Sequence, residues 1–272
     1  MKHYFYRGCA ARNLPSEIIL NDEIHMTAKD SIRIGTWNVE YAYNRRNGDR
    51  LAALIRQAAD IWILTETHSS LDLSETHFSY PSNTRPILRN GNAGSTWVTI
   101  WSRFECVEKI KVPDPLRQVA TVFDTPVGRL AVVGVVFPWH CDKGDKPVTP
   151  LAANWSEHKR VLHEEVPILL KSLSEVKHSH RVLAGDFNTD LAPPYSYGPG
   201  RLVRDEWHEI LRTAGLVCHT KAERYPDSLN RNLIDHVCTD LAPPQIITTW
   251  SGEDGQHPRL SDHPGVVAEF FI

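Results

Sequence analysis

The stretch "VLAGDFNTDL", residues 182–191, decides how this chain is read. It opens with apolar Val182, Leu183 and Ala184, turns at Gly185, and presents Asp186, Asn188, Thr189 and Asp190 in close succession. A strand running into acceptors and amides has two readings. Asp, Asn and Gly are ordinary turn residues, so the run can be a strand that simply ends. The same groups also suit an active site at a strand's carboxyl end, and the rest of the chain has to decide.

Outward from this stretch, runs of strand length rich in β-branched and aromatic residues recur from Ile32: "IRIGTWNV", "DIWILTET", "TWVTIWS", "LIDHVCT", "QIITTW" and "VVAEFFI". "VATVFDTPVGRLAVVGVVF" reads as a hairpin turning through Thr125, Pro126 and Gly128. Helical periodicity is rarer. "GDRLAALIRQAAD" places Leu51, Leu54, Ile55 and Ala58 on one face. "NWSEHKRVLHEEVPILLKSL" does the same with Leu162, Val166, Leu169 and Leu170, with a break at Pro167, and "RDEWHEILRTAG" ends in a cap at Gly215. Hairpin and helical connections together predict mixed sheets, packed on each other with helices outside. No linker or repeat interrupts residues 31–272, which read as one domain. Residues 1–30 read as a polar extension.

Composition narrows the function. Apolar residues make up 41% of the 272 and charged residues 23%, an ordinary globular balance. A net charge of −3 supplies no overall basic field for nucleic acid. Cys9, Cys106, Cys141, Cys218 and Cys238 are odd in number and lack CxxC pairing, which points to reduced thiols rather than a disulfide framework. The N-terminus has no apolar signal core and no stretch reaches membrane-span length, so a soluble, cytoplasmic protein is expected. The oligomeric state stays open, a monomer included.

The strand ends carry the chemistry. The first predicted strand runs into Asn38 and Glu40, the second ends at Glu66, and "VLAGDF" ends at Asp186 and Asn188. "NLIDHV" carries Asp235 and His236, and the last strand follows Asp262 and His263. Carboxylates and amides suit a hard divalent cation such as Mg²⁺, and a hydrolytic site adds a group that activates water and a donor for phosphate charge. Any one of these residues alone is an ordinary turn or solvated strand end; five elements ending this way in one chain favour a site.

"GTWNVE", "LTET", "IWSRF", "GDFN", "LIDHV" and "SDH" occur in the order found in the endonuclease/exonuclease/phosphatase family, which the chain resembles over about residues 32–272. The resemblance implies a four-layer α/β/β/α sandwich of two mixed β-sheets with outer helices, an α/β fold, and a catalytic domain over residues 31–272. It implies Glu66 as the principal Mg²⁺ ligand, supported by Asn38, with Glu40 and Asp262 as further metal-side carboxylates. By the same resemblance Asp186 orients or deprotonates the attacking water, Asn188 contacts phosphate, and Asp235 pairs with His263, which faces the phosphate. Mn²⁺ suits the same ligands. The implied activity is metal-dependent phosphoester hydrolysis, with a nucleic-acid phosphodiester as leading substrate. A small phosphoester (lipid head group, nucleotide or sugar phosphate) is the alternative, and a non-catalytic binding module the third reading.

There is one departure. Where the family has a tyrosine or histidine, this chain has Val136, with His140 four residues on as the candidate replacement. Other residues read more plainly. His158 and His163 are five apart, not the zinc-binding i, i+4 pair, and are expected at the surface. Trp37 is expected in the core, and Arg45, Arg46 and Arg50 on a solvated loop, with phosphate contact as the functional reading.

Overall fold

The computed structural model describes residues 31–41, 46–85, 93–142, 154–226, 231–252 and 259–271. The predicted extension over 1–30, together with Cys9 and Arg45, lies outside them. Along the chain run β1 (Ser31–Asn38), α1 (Asn47–Gln57), β2 (Ile61–His68), β3 (Phe78–Pro81), β4 (Ser95–Ser102), β5 (Cys106–Ile110), β6 (Gln118–Thr125) and β7 (Gly128–Val136). Then come α2 (Ser156–Glu164), α3 (Val166–Glu175), β8 (His180–Asp186), α4 (Arg201–Thr213), β9 (Val217–Cys218), β10 (Asp235–Thr239), β11 (Ile246–Trp250) and β12 (Gly265–Phe271).

The strands form two six-stranded sheets, ordered β11-β12-β1-β2-β4-β3 and β5-β6-β7-β8-β10-β9. At the centre of each sits one parallel pair, β1–β2 or β7–β8, flanked by antiparallel neighbours. A parallel pair needs a crossover, and helices supply it: α1 after β1, α2 and α3 after β7. Period-two alternation sorts the side chains into layers. Ile32, Ile34, Ile61 and Ile63 meet Val132, Val182 and Ala184 between the sheets. Trp37, Trp62 and Leu64 turn outward to Leu54 of α1. Val133, Val135 and Leu183 turn to Leu162, Leu169 and Trp207 of α2, α3 and α4. The expected α/β/β/α sandwich is therefore present, each such buried side chain contributing about 1.5–3 kcal/mol by leaving water.

Several local expectations shift. The strand does not turn at Gly185: β8 continues to Asp186, and the turn follows at Asn188, whose φ is 49°. Gly185 sits at φ 134°, and a Cβ there would lie 2.0 Å from the Val135 carbonyl oxygen, so only glycine fits. On α1 the buried stripe is Arg50, Ala53 and Leu54, while Ile55 is 60% exposed. Arg50 takes part in that stripe because its guanidinium donates to the Leu260 carbonyl (2.9 Å) and Asn47 Oδ1 (3.1 Å). It is a buried structural arginine, not the solvated loop residue expected. Arg46 pairs with Asp49 at 2.9 Å. The strands with no clear sequence pattern, β3, β5 and β9, all lie at sheet edges, where one-sided burial leaves little alternation to read. Pro167 falls at the start of α3, where its missing N–H costs nothing. Among the described residues, no helix is long and apolar enough to cross a membrane.

His158 is the clearest reversal, being buried rather than at the surface. Its Nδ1 donates to the Pro138 carbonyl (2.8 Å), and its Nε2 accepts from the Trp207 indole (3.2 Å). Both bonds require the neutral Nδ1–H tautomer, since a proton on Nε2 would face the indole N–H. Burial pushes the imidazole down to about 4. A depressed histidine stabilises the fold above its unfolded value near 6.5 and loses that contribution as pH falls toward 4. Urea unfolding should therefore show a loss of roughly 2–3 kcal/mol between pH 7.5 and 4.5 that His158→Gln lacks. Parallel pH profiles for the two proteins would refute this.

Candidate active site

Topology brings the polar strand ends to one rim. β1 and β2 are parallel, so Asn38 and Glu66 leave their sheet on the same edge. β12 is antiparallel to β1, so Asp262 and His263, just before its start, return to that edge. In the other sheet β8 ends at Asp186 and antiparallel β10 begins at Asp235, the two in direct register.

Strict alternation would turn Glu66 outward with Trp62 and Leu64. Its φ of 52° breaks that alternation. Beyond it, Thr67 hydrogen-bonds Thr96 (2.6 Å) and Thr99 (2.8 Å), while Trp97 and Val98 of β4 both face the inter-sheet core. The two strands change face together, and Glu66 is left pointing at the rim. A left-handed glutamate costs on the order of 1 kcal/mol, the kind of local strain that concentrates at functional sites.

Asn38 stands at the centre. Its Nδ2 donates to Glu66 Oε1 (3.2 Å) and to Asp186 Oδ2 (3.0 Å), joining a carboxylate from each sheet. Asp186 also accepts from the Asn188 backbone N–H (2.8 Å) and Nδ2 (3.2 Å). Asn188 Nδ2 in turn donates to the Phe137 carbonyl at 2.9 Å. Opposite, His263 Nδ1 lies 2.6 Å from Asp235 Oδ2. The loop before β12 is tied to β1 by Trp37 Nε1 on the His263 carbonyl (2.9 Å) and by the Ser261 hydroxyl on the Asn38 carbonyl (2.5 Å).

Burial, reinforced by the Asp235 charge, raises Asp186 to about 7. Burial also raises Glu66, only partly offset by the Asn38 amide and the His263 charge. For His263, burial opposes the charged form, but Asp235 wins and the imidazole rises to about 10. The neutral amides thus leave the two carboxylates short of positive charge.

Two overlapping donor sets could take a divalent cation. Asp186, Asp235 and His263 bring ligand atoms within 4.8 Å of one another. Yet an imidazolium held by Asp235 has no lone pair to give, which weighs against that set. Glu66 and Asp186 offer carboxylate oxygens, the donor type a hard cation prefers, while Asn38 turns its Nδ2 to both of them and its Oδ1 to the Glu40 N–H. Asp235 Oδ1 is buried with no hydrogen-bond partner among the described residues, although Oδ2 is paired with His263.

Not every expected residue joins this group. The Glu40 carboxylate pairs with Arg259 at 3.1 Å, and only the Glu40 backbone N–H reaches Asn38 Oδ1 (3.0 Å). Asp262 is exposed beside the cluster, close enough to act on Glu66 and His263 by charge. His140 packs edge-on against Trp155 (5.7 Å) with Nδ1 3.0 Å from Cys141 Sγ. Val136 pairs in register with Asp186 and buries its side chain between the sheets, so no polar side chain stands at that register position.

The structure also adds residues. The Tyr41 hydroxyl bonds Glu66 and Arg85, and the Arg85 guanidinium lies 3.6 Å from the Trp97 ring centroid and 4.7 Å from that of Tyr41. Tyr41 follows Asn38 by three residues, so proximity to the motif was its signal. Arg85 has none in the sequence, since only folding brings it beside Glu66. Ser261 was legible as the first residue of "SDH".

In metal-free protein the Asp235–His263 pair stabilises the fold below the ordinary histidine value, and this contribution is lost as pH rises through about 10. An NMR titration with chelator present should find the His263 imidazole still charged at pH 8. Asp235→Asn should lower it markedly, because only the charges of Asp186 and Asp262 then oppose burial. A wild-type His263 titrating near 6.5 would contradict the geometry.

A family model described as "Endonuclease/Exonuclease/phosphatase family" matches residues 35–263. No curated protein matches the sequence. Among solved structures, an endonuclease/exonuclease/phosphatase from Beutenbergia cavernae DSM 12333 is similar at 19% identity and TM-score 0.59, over 89% of this chain and 72% of that one. A family protein from Leptotrichia buccalis C-1013-b matches at 12% identity and TM-score 0.57, over 89% of this chain and 100% of that one. Humanized D. rerio TDP2 carrying 14 mutations matches at 14% identity and TM-score 0.55, over 89% of this chain and 99% of that one. At these identities the likeness is one of fold.

Proposed function

The chain belongs to the endonuclease/exonuclease/phosphatase family, and from that premise we propose that it is a Mg²⁺-dependent phosphodiesterase acting on nucleic acid. Membership supports the broader class, a metal-dependent hydrolase of phosphoesters. The observation that carries the proposal is the single amide of Asn38 joining Glu66 and Asp186 across the two sheets.

Glu66 would hold the cation, Mg²⁺ or Mn²⁺, with the Asn38 amide fixing the Glu66 carboxylate beside it. The chemistry a bound cation would supply there is neutralisation of charge on a phosphate oxygen and on the leaving group. Asp186 takes the proton from the attacking water. Its carboxylate is held by Asn38 and Asn188, and a value near 7 suits a group that accepts a proton at neutral pH. Asn188, expected at the phosphate, spends both amide hydrogens on the Phe137 carbonyl and Asp186 and so serves to position the Asp186 carboxylate. His263, kept protonated and oriented by Asp235, donates to the oxygen on which charge develops. This cation also supplies the polar contact that Val136 cannot, so His140 need only line the approach to the site. Glu40 and Asp262 act from the periphery through the field they place on the metal side.

Supercoiled plasmid incubated with Mg²⁺ should be nicked by the wild type and spared when chelator is present. Asp186→Ala and His263→Ala should each lower the rate by at least ~100-fold while remaining folded. Glu66→Gln should raise the Mg²⁺ concentration needed for half-maximal rate; unchanged metal dependence would remove it as a ligand. Absence of nicking, with turnover of small phosphoesters instead, would move the substrate to that class. This alternative is favoured by the net charge of −3, which offers no broad attraction for a polyanion. No turnover of any phosphoester would leave a binding module. As a working picture the protein is a soluble cytoplasmic monomer, testable by fractionation and light scattering.

A further inference from the structure

Behind the rim, β9 and β10 place Cys218 directly opposite Cys238. The His219 N–H donates to the Val237 carbonyl at 3.0 Å, which makes 219–237 a hydrogen-bonded pair and leaves 218–238 a non-hydrogen-bonded one. Such pairs bring side chains closest, with Cα atoms about 4.5 Å apart, inside the range a disulfide spans. Both side chains point to the same face of the sheet, in the core against α4, and both are free thiols. β9 is the edge strand, so Cys218, 5% exposed, lies nearer to solvent than Cys238, which is fully buried.

We propose that Cys218 and Cys238 form a peroxide-oxidisable dithiol that closes into a cross-strand disulfide. It would staple the base of residues 219–237, the segment that carries Asp235 to the rim. The two thiols differ in the way such a reaction needs. Burial raises Cys218, but hydrogen bonds from Cys238, His236 and Thr220 outweigh it and bring the thiol well below its ordinary value. Burial and the neighbouring Cys218 push Cys238 well above. The place of Cys218 on the edge strand, nearer to solvent, together with its hydrogen bonds makes it the attacking sulfur and Cys238 the resolving one.

The chemistry balances with hydrogen peroxide as the oxidant. The Cys218 thiolate attacks one peroxide oxygen, the O–O bond breaks, and the departing hydroxide takes the thiol proton as water. The Cys238 sulfur then attacks the sulfenic sulfur, the S–S bond forms, and the second oxygen leaves as water with the Cys238 proton. Two thiols and one peroxide give one disulfide and two waters, with two electrons passing from sulfur to oxygen. A dithiol reductant reverses the change.

The full-length chain, freed of reductant, would be treated with hydrogen peroxide, quenched with catalase, unfolded and alkylated. Mass spectrometry should show a loss of about 2 Da and a peptide pair joined through Cys218 and Cys238, restored by dithiothreitol. The Cys106→Ser/Cys141→Ser protein should form the same bridge. In Cys218→Ala, Cys238 should stay a free, alkylatable thiol. Full alkylation of Cys218 and Cys238 after oxidation would overturn the proposal. So would a bridge to any other cysteine, or over-oxidation of Cys218 without a bridge.

Discussion

Everything at the rim depends on one amide. Asn38 ends a strand of one sheet and donates at once to Glu66 of the same sheet and Asp186 of the other. Two buried carboxylates this close repel each other, and a neutral donor shared between them is a weak remedy. The arrangement persists because the sandwich is already closed by its apolar layers. Ile34 and Ile63 of one sheet pack on Val182 and Ala184 of the other, fixing the spacing before any polar group has a say.

The repeated sheet design explains why such a rim exists. Each sheet has a central parallel pair closed by a helical crossover, and each parallel strand delivers its carboxyl end to the same edge. Antiparallel β10 and β12 begin where the parallel strands finish. Their first residues therefore meet the others' last ones, as Asp235 meets Asp186 in direct register. Small irregularities then aim the groups. The left-handed turn at Glu66 reverses the facing of β2, and that at Asn188 folds its amide back onto Asp186.

Charge is divided unequally across this rim. Asp235 makes His263 a lasting cation, whereas Asp186 and Glu66 receive only amides and a hydroxyl at short range. One side is thus prepared to donate a proton or hydrogen bond and the other to accept a metal or a proton. That division is what hydrolysis of a phosphoester requires, because negative charge grows on the oxygens while water loses its proton. Farther back, β10 links this rim to Cys218 and Cys238, two buried free thiols facing each other across β9 and β10.

The sequence by itself determined the sheet-forming runs, the hairpin across Thr125 and Gly128, and the identity of the residues at the strand ends. Period-two alternation and turn chemistry are local, and residues such as Asp186 and Asp235 stand next to the apolar runs that bury them. Edge strands β3, β5 and β9 escaped because half their surface has no core to match. Position along α1 could not show that Arg50, not Ile55, faces inward, since its partner Leu260 lies on a distant loop. Nor could it show His158 buried on Trp207, or Arg85 beside Glu66. Only the tertiary structure decided which polar groups touch, turning Glu40 toward Arg259 and Glu66 toward Asn38. Contacts of that kind depend on the spacing between sheets, and no local pattern encodes it.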